Sequence, residues 1–337
     1  MNWVGFQIKI NAVIAPQSAH GPSIAVGNGF GKGIIYMAYA DKGGTGLFTA
    51  TCDANSGNFA NWQGNVQAVS ESGIIFKIRD RPTTEFYPNS QVVVYVDYAT
   101  QQLFETNYFQ NRWIDPVAVG NFAFVNPFGW KQPIIKAAGL KLYLLSVDQS
   151  GNPWLSHKTF LVDPSKSGFG GVTLWTDAQK ILRPAAIVAE QREVTSWDLC
   201  QAEQTMVLLG LSPQHIYVYT QPLRPEPANQ PWGFAGKIPL PADQQVNRCL
   251  KAISSSPSVS MISTIKGDNL GVADLQFHPV PKIGSFHALG QANQFASRDL
   301  VGGAFYSVQN GQKPELILAY KGEGSSNLYL AHGRFNP

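Results

Sequence analysis

Charge is scarce in this sequence. Asp, Glu, Lys and Arg make up 14% of its 337 residues, against roughly 25% in ordinary soluble domains. Exposed helix faces are built largely from Glu, Lys and Arg, so the composition disfavours a helical protein. The net charge is only +3 and no block of Lys or Arg occurs, which argues against nucleic-acid binding by bulk electrostatics. Cysteine is rarer still. Cys52, Cys200 and Cys249 permit one internal disulfide at most and show no CxxC spacing, so neither a metal site nor a disulfide framework is expected. No apolar run approaches the ~18 to 20 residues of a membrane span. The start, "MNWVGFQIKINAV", alternates like a strand rather than a signal peptide, and no N-x-S/T sequon occurs. The expectation is a cytoplasmic or leaderless secreted protein without a membrane span. Catalytic signatures are missing too. "GPSIA" ends in Ala where a nucleophile elbow needs Gly, HExxH and Walker sequences do not occur, and the Gly-rich "GNGFGKG" lies between two strand-like runs. No cofactor is expected and no catalytic residue is assigned.

What the chain has in quantity is glycine (32), proline (22) and aromatic residues (12%). That mixture suits many short strands joined by tight turns. Two strand-like runs recur in order around the whole sequence. One set reads "GIIYMAYA", "QVVVYVDY", "LKLYLLSV", "TMVLLGLS", "SVSMISTI" and "ELILAYKG"; the other reads "GLFTATCD", "QLFETNYF", "PWLSHKTF", "HIYVYTQP", "LGVADLQF" and "NLYLAHGR". A further apolar run precedes most pairs, as in "PSIAVGN", "QPIIKAAG", "PAAIVAE", "CLKAISS" and "LVGGAFYSV". An aromatic marker ends each unit: Trp3, Trp62, Trp113, Trp175, Trp232 and Phe286, spaced by 59, 51, 62, 57 and 54 residues. Units of this kind cannot bury their faces alone and must stack on neighbours.

The last unit, "AYKGEGSSNLYLAHGRFNP", copies "AYADKGGTGLFTATCDANS" from Ala38 but stops before any marker. Its missing "NWxG" stands at Asn2 to Gly5, and joining the termini gives a final spacing of 54. A final unit that takes its last strand from the N-terminus closes a ring and removes an exposed edge. The expected fold is therefore all-β: a single domain over 1–337, a six-bladed β-propeller of four-stranded antiparallel blades. The alternative is two β-sandwich domains with coincidental aromatic spacing. The segment "TSWDLCQAEQ" could carry a helical turn.

The first unit, "HGPSIAVGN…GIIYMAYADKGGTGLFTATCD…NWQG", resembles the sialidase-like propeller repeats of bacteria and fungi. More distantly it is similar to the six-bladed fungal fucose-lectin group. The resemblance covers the first and last units best, about a third of the chain. It implies a propeller and a sugar ligand. Two departures stand out: "SVDQSGNPW" (Ser146 to Trp154) has one residue too many for a sialidase Asp-box, and the Arg, Glu and Trp that the fucose-lectin group repeats in every blade are not found as a repeat.

In a propeller the inner strands begin around a central mouth that collects residues from every blade. His20, Arg79, Lys131 and Arg248 stand 16 to 18 residues past their markers; the fourth unit offers Arg183, which comes early, or Arg192 at 17, and the sixth offers Arg298 at 12. Arginine pairs with carboxylates and phosphates through a planar fork, so a basic mouth would suit an anionic ligand. The competing role for these residues is turn capping and pairing with neighbours such as Asp80, Asp299 or Glu190. Trp130, Trp154, Trp197 and Tyr87 fall outside the marker register and are candidates to stack on a ligand. Trp3, Trp62, Trp113, Trp175 and Trp232 are assigned to packing, and the scattered histidines, including His278 and His332, to structural partnerships. The function expected is carbohydrate binding at one main site at the central mouth, with preference for a polar or anionic ligand and without catalysis. The alternatives are a single-site enzyme, either a sialidase-like hydrolase or lyase or a biosynthetic cyclase, and a protein-interaction platform. The partner expected is a glycan or another small molecule.

Overall fold

The computed structural model describes residues 3–334, apart from 13–14, 28–32, 57, 88–89, 110, 121, 123–125, 127, 162–170, 182–193, 224–231, 242–245, 256–257, 266–267, 278–280, 292–293, 298, 300 and 307–314. It is a six-bladed β-propeller. Blade 1 comprises Ser23–Gly27, Ile34–Ala40, Leu47–Asp53 and Asn61–Gln67. Blade 2 comprises Thr83–Phe86, Gln91–Val96, Leu103–Phe109 and Arg112–Trp113, with Val117–Ala118 beside its third strand. Blade 3 is built from Lys131–Ala138, Lys141–Val147 and Pro153–Leu161, with Gly171–Val172 and Gln179–Lys180 on its outer side. Blade 4 runs through Ser196–Ala202, Thr205–Leu211, His215–Pro222 and Gly233–Pro239. Blade 5 has Asn247–Ser255, Ser258–Ile265, Asn269–Gln276 and the short outer strands Lys282–Ile283 and His287–Ala288. Blade 6 has Gly302–Tyr306, Glu315–Lys321 and Leu328–Arg334. Each inner strand packs against the inner strand of the next blade, blade 6 returning to blade 1.

The two recurring runs are the second and third strands of every blade. A second strand has neighbours in its own sheet and blades on both faces, so it reads as unbroken apolar sequence. "QVVVYV" is buried at all six positions, as expected for a doubly covered strand. In blades 1 to 4 the hairpins between second and third strands share a device: a short side-chain acceptor that gathers the turn amides. Asp41 Oδ1 accepts from Thr45 N at 2.7 Å and Gly46 N at 2.9 Å. Asp97 Oδ2 accepts from Thr100 N at 2.8 Å, and Asp148 Oδ1 from Ser150 N and Asn152 N, both at 2.9 Å. In blade 4 Ser212 takes the role, accepting from His215 N at 3.0 Å. "SVDQSGNPW" is this hairpin in blade 3, a position between second and third strands.

The N-terminal strand Trp3–Gln7 forms the outer strand of blade 6, antiparallel to Leu328–Arg334 with Trp3 opposite Gly333 and Gln7 opposite Tyr329. The chain then crosses to blade 1, where Lys9–Ile10 pairs in parallel with Asn61 and Trp62. Eight residues thus staple the last blade to the first. Ile8 and Ile10 are fully buried among Trp62, Leu328 and Leu330. His332 is structural, as expected: its Nδ1 lies 3.2 Å from Glu315 Oε2 and its ring packs between Phe6 and Phe59.

Two expectations are corrected. The segment suggested as a helical turn is the inner strand of blade 4, Ser196–Ala202, because its partner "TMVLLGL" offers a fully paired register from Ser196 opposite Leu211 to Ala202 opposite Thr205. Sequence reading gave that inner position to "PAAIVAE", which lies outside the described residues. Trp197 is also no surface residue. At 2% exposure it lies across Gly210, where a Cβ would come within 2.7 Å of its ring.

Removing residues 1–10 strips the staple and exposes the faces that Ile8 and Ile10 cover. Each buried side chain contributes about 1.5–3 kcal/mol, so the melting temperature should fall by roughly 10 °C or more. A truncated chain that melts with the full one would contradict the closure. Gly302→Ala should cost about 1–3 kcal/mol, because its new methyl would meet backbone of blade 1, Ile24 N at 2.8 Å and Pro22 O at 2.9 Å. Chemical denaturation measures it.

Candidate functional site

A blade is a separate sheet, so one edge of each inner strand has no ladder partner. Side chains of neighbouring blades satisfy those edges. Ser23 Oγ accepts from Thr84 N at 3.1 Å. Asp80, Thr83 and Glu85 of blade 2 accept from Gln132, Ile135 and Ala137 N of blade 3 at 2.9, 3.1 and 3.4 Å. Asp198 Oδ2 accepts from Ala252 N at 2.6 Å, and Ser254 Oγ from Gln201 N at 2.9 Å. Buried Arg81 donates to three carbonyls at the starts of blades 1 and 6: Gly21 at 2.9 Å, Pro22 at 2.6 Å and Val301 at 3.0 Å.

The central cavity these strands enclose is small, about 130 Å³. Its cations are already matched. Lys136 lies 3.3 Å from Glu85, and Lys251 3.2 Å from Asp198, which is 1% exposed. The Glu85 carboxylate raises the Lys136 pKa above the ordinary lysine value. This core binds the blades to one another.

Of the six basic residues expected at the mouth, three can be placed in full. His20 is half-buried, and its backbone N–H donates to Ser18 Oγ at 3.3 Å. Arg79 and Lys131 are exposed and make no salt bridge among the described residues. Arg183 and Arg298 lie outside the described residues, as do Arg192, Glu190 and the side chain of Arg248. Asp80 and Asp299, suggested as their partners, are engaged elsewhere: Asp80 caps Arg81 N and Gln132 N, and Asp299 pairs with Lys321 at 2.7 Å.

The stacking candidates divide differently. Trp130 is 2% exposed and packs edge-on against Phe122 and Trp154; it is a core residue, because blade 3 closes over it. Trp154 is half-buried, with Lys180 Nζ 5.9 Å from its ring centre. It does belong to the repeat. Its partner across the hairpin is Ser146, at the register point where blades 1, 2 and 6 pair Tyr39 with Phe48, Tyr95 with Phe104 and Tyr320 with Tyr329. Tyr87 is buried, and its hydroxyl donates to Leu140 O at 2.7 Å.

Tyr87 lines a much larger cavity of about 700 Å³ between blades 2 and 3. Deep within it stand Glu105, from the third strand of blade 2, and Lys158, from the third strand of blade 3. They form an ion pair with side chains only 12% and 9% exposed. Asn107 Nδ2 donates to Glu105 Oε1 at 3.1 Å and Trp175 Nε1 to Glu105 Oε2 at 2.7 Å. The Lys158 ammonium also stands 5.0 Å from the centre of the Trp175 ring, a cation–π arrangement. Trp175, assigned to packing from sequence, therefore packs and also holds the ion pair in place. Sequence reasoning missed Glu105 and Lys158, which sit in unremarkable strands "LFETNYF" and "PWLSHKTF". The available signal was a charge inside a strand otherwise apolar or half-buried, which needs a partner.

A carboxylate accepts about four hydrogen bonds and an ammonium donates three. Glu105 here accepts from Lys158, Asn107 and Trp175, while Lys158 gives one proton to Glu105. One acceptor position and two donors remain, which suits groups that both donate and accept, such as vicinal hydroxyls.

Among the described residues no cluster of three or more His, Cys, Asp or Glu could hold a metal, and no helix is long and apolar enough to cross a membrane. Cys52 and Cys200 are free, buried thiols; burial raises that of Cys52 to about 12 and that of Cys200 further.

No protein-family model matches the chain, and no curated protein does. Solved structures do match in shape. AofleA from Arthrobotrys oligospora superposes with a TM-score of 0.59 at 9% identity, covering 100% of this chain and 88% of that one. The Aleuria aurantia lectin, a six-bladed propeller with a described mode of fucose recognition, gives 0.56 at 9% identity over 93% and 91% of the two chains. The SapL1 lectin in complex with α-methyl fucoside gives 0.53 at 10% identity over 95% and 94%. At such identities what is shared is the six-bladed propeller fold.

The imidazole of His157, beside Lys158, has its pKa lowered from 6.5 to about 4 by burial first and by the Lys141 charge second. The unfolded chain therefore binds this proton more readily than the folded one. Its contribution to stability is present above pH 6.5 and lost as pH falls towards 4. Melting temperatures between pH 7 and 4 should decline less steeply in His157→Gln than in the parent protein.

Proposed function

We propose that the protein binds carbohydrate without catalysis, at one site in the cleft between blades 2 and 3. The observation that carries the reading is the Glu105–Lys158–Trp175 constellation, held rigid by neighbouring blades and left with spare donors and acceptors inside an open cavity. The similarity of the first and last units to the fucose-lectin group supports a sugar ligand, although the arginine, glutamate and tryptophan that the group repeats in every blade are not found here as a repeat. The structural neighbours also include a lectin solved with a fucoside.

A single site fits the register of the blades. Positions equivalent to Glu105, one residue past the aromatic of each third strand, hold Thr49, Leu155, Val218, Gly271 and Leu330. None can supply the carboxylate. Hydrolysis by the usual two-carboxylate route needs a second acid facing the first. Glu105 is the one carboxylate among the described residues lining this cavity.

The mouth offers a second reading, an anionic ligand held by Arg79, Lys131 and Arg248. Its support is that Arg79 and Lys131 are exposed and carry no salt bridge among the described residues.

A glycan array carrying neutral, sialylated and uronic sugars tests both. Binding should weaken tenfold or more in Glu105→Gln, which removes one charge-assisted contact worth about 1.5–3 kcal/mol, and stay unchanged in Arg79→Ala and Arg248→Ala. Loss in the arginine variants alone would move the site to the mouth. Silence across the array from folded protein would end the carbohydrate reading. Because breaking a buried pair is itself costly, Trp175→Phe serves beside Glu105→Gln, with melting curves to confirm that both fold.

A further inference from the structure

The blade 2–3 cavity grades from charged to apolar along its depth. Glu105 and Lys158 are almost withdrawn from solvent, whereas the residues nearer the opening are apolar and strongly exposed. Leu174 is 90% exposed, Val117 66%, Phe109 45% and Val172 38%. Exposed single apolar residues are ordinary, but several around one opening mark a binding surface. The room available is informative as well. A cavity of about 700 Å³ lies within the ~300–1,000 Å³ of pockets that enclose drug-sized ligands, several times what one pyranose ring fills. A lone sugar bound at the ion pair would leave the apolar outer part facing water.

Resting on the carbohydrate reading of this site, we propose that its ligand is a glycoside with an apolar aglycone. The sugar hydroxyls meet Glu105 and Lys158 at depth, and the aglycone lies outward along Phe109, Val117, Val172 and Leu174. The order follows from burial. Hydroxyls gain most from the charged pair where water is excluded, and an apolar group gains by covering exposed apolar surface at about 25 cal/mol per Å². The cleft also excludes the reverse pose, since an apolar group at depth would leave the remaining donors of Lys158 without acceptors.

Calorimetric titration with paired methyl and 4-nitrophenyl glycosides of L-fucose, D-galactose, N-acetylglucosamine and glucuronic acid tests this. For the sugar that binds, the nitrophenyl member should bind at least tenfold more tightly than the methyl member. Leu174→Ser and Val117→Ser, both at exposed positions and so harmless to folding, should reduce that advantage below threefold while leaving the methyl glycoside's affinity unchanged. Equal affinities for the two members, or an advantage that survives both variants, would overturn the aglycone inference and leave the carbohydrate reading standing. Failure of every glycoside to bind would overturn both.

Discussion

The inner edge of each blade is the constraint on which the rest of the molecule depends. Six separate sheets arranged around an axis present six inner strands that cannot complete a ladder with one another. Unpaired buried amides cost about as much as lost hydrogen bonds. The fold meets this with short acceptors from adjacent blades, among them Ser23, Thr83, Glu85, Asp198 and Ser254. Arg81 answers the corresponding carbonyls at the junction of blades 1, 2 and 6. The outer edge at the ring's seam is met separately, by the N-terminal strand and its parallel continuation onto blade 1.

This arrangement decides where a ligand can bind. Charges near the axis are recruited to hold blades together, Lys136 by Glu85 and Lys251 by Asp198, and the remaining space is small. The flank between blades 2 and 3 is under no such demand. There residues of both third strands line a cavity of about 700 Å³, which a buried cross-blade pair crosses. The same interaction that joins the two blades can therefore orient a ligand, because its partners are saturated only in part.

Much of the fold was legible in the sequence. The second and third strands of all six blades coincide with the recurring apolar runs, and the marker at Trp3 located the closing strand. Register made this possible: an aromatic pair such as Tyr39–Phe48 recurs as Tyr95–Phe104 and Tyr320–Tyr329. Where the inner strand compensates for the lost pair, its reading failed. In blade 4 Gly210 replaces the tyrosine because Trp197 of the inner strand occupies its volume, so a core tryptophan looked like a surface one and its strand like a turn. The site was less legible for a different reason. A fixed count from each marker selected Arg79, which is exposed, and passed over Arg81 two residues later, which is buried and bonded across blades. Counting along the chain finds a height in the blade; it does not report which way a side chain turns.

Glu105 and Lys158 show the remaining gap. They lie 53 residues apart, close to one repeat, on third strands of adjacent blades. Each is a charge in a strand otherwise apolar or half-buried, which signals that it needs a partner but not which one. Their meeting follows only once neighbouring repeats are stacked, and a sequence scanned blade by blade never places them side by side. Degeneracy among repeats sharpens the point. A multivalent binder gains avidity by repeating its site, whereas the five other blades place Thr, Leu, Val, Gly and Leu at the Glu105 position. The symmetry is retained in the strands that build the core and absent from the charges that define the cleft. The proposed single site between blades 2 and 3 agrees with this pattern, in which the strands are common to all blades and the charged pair belongs to one interface.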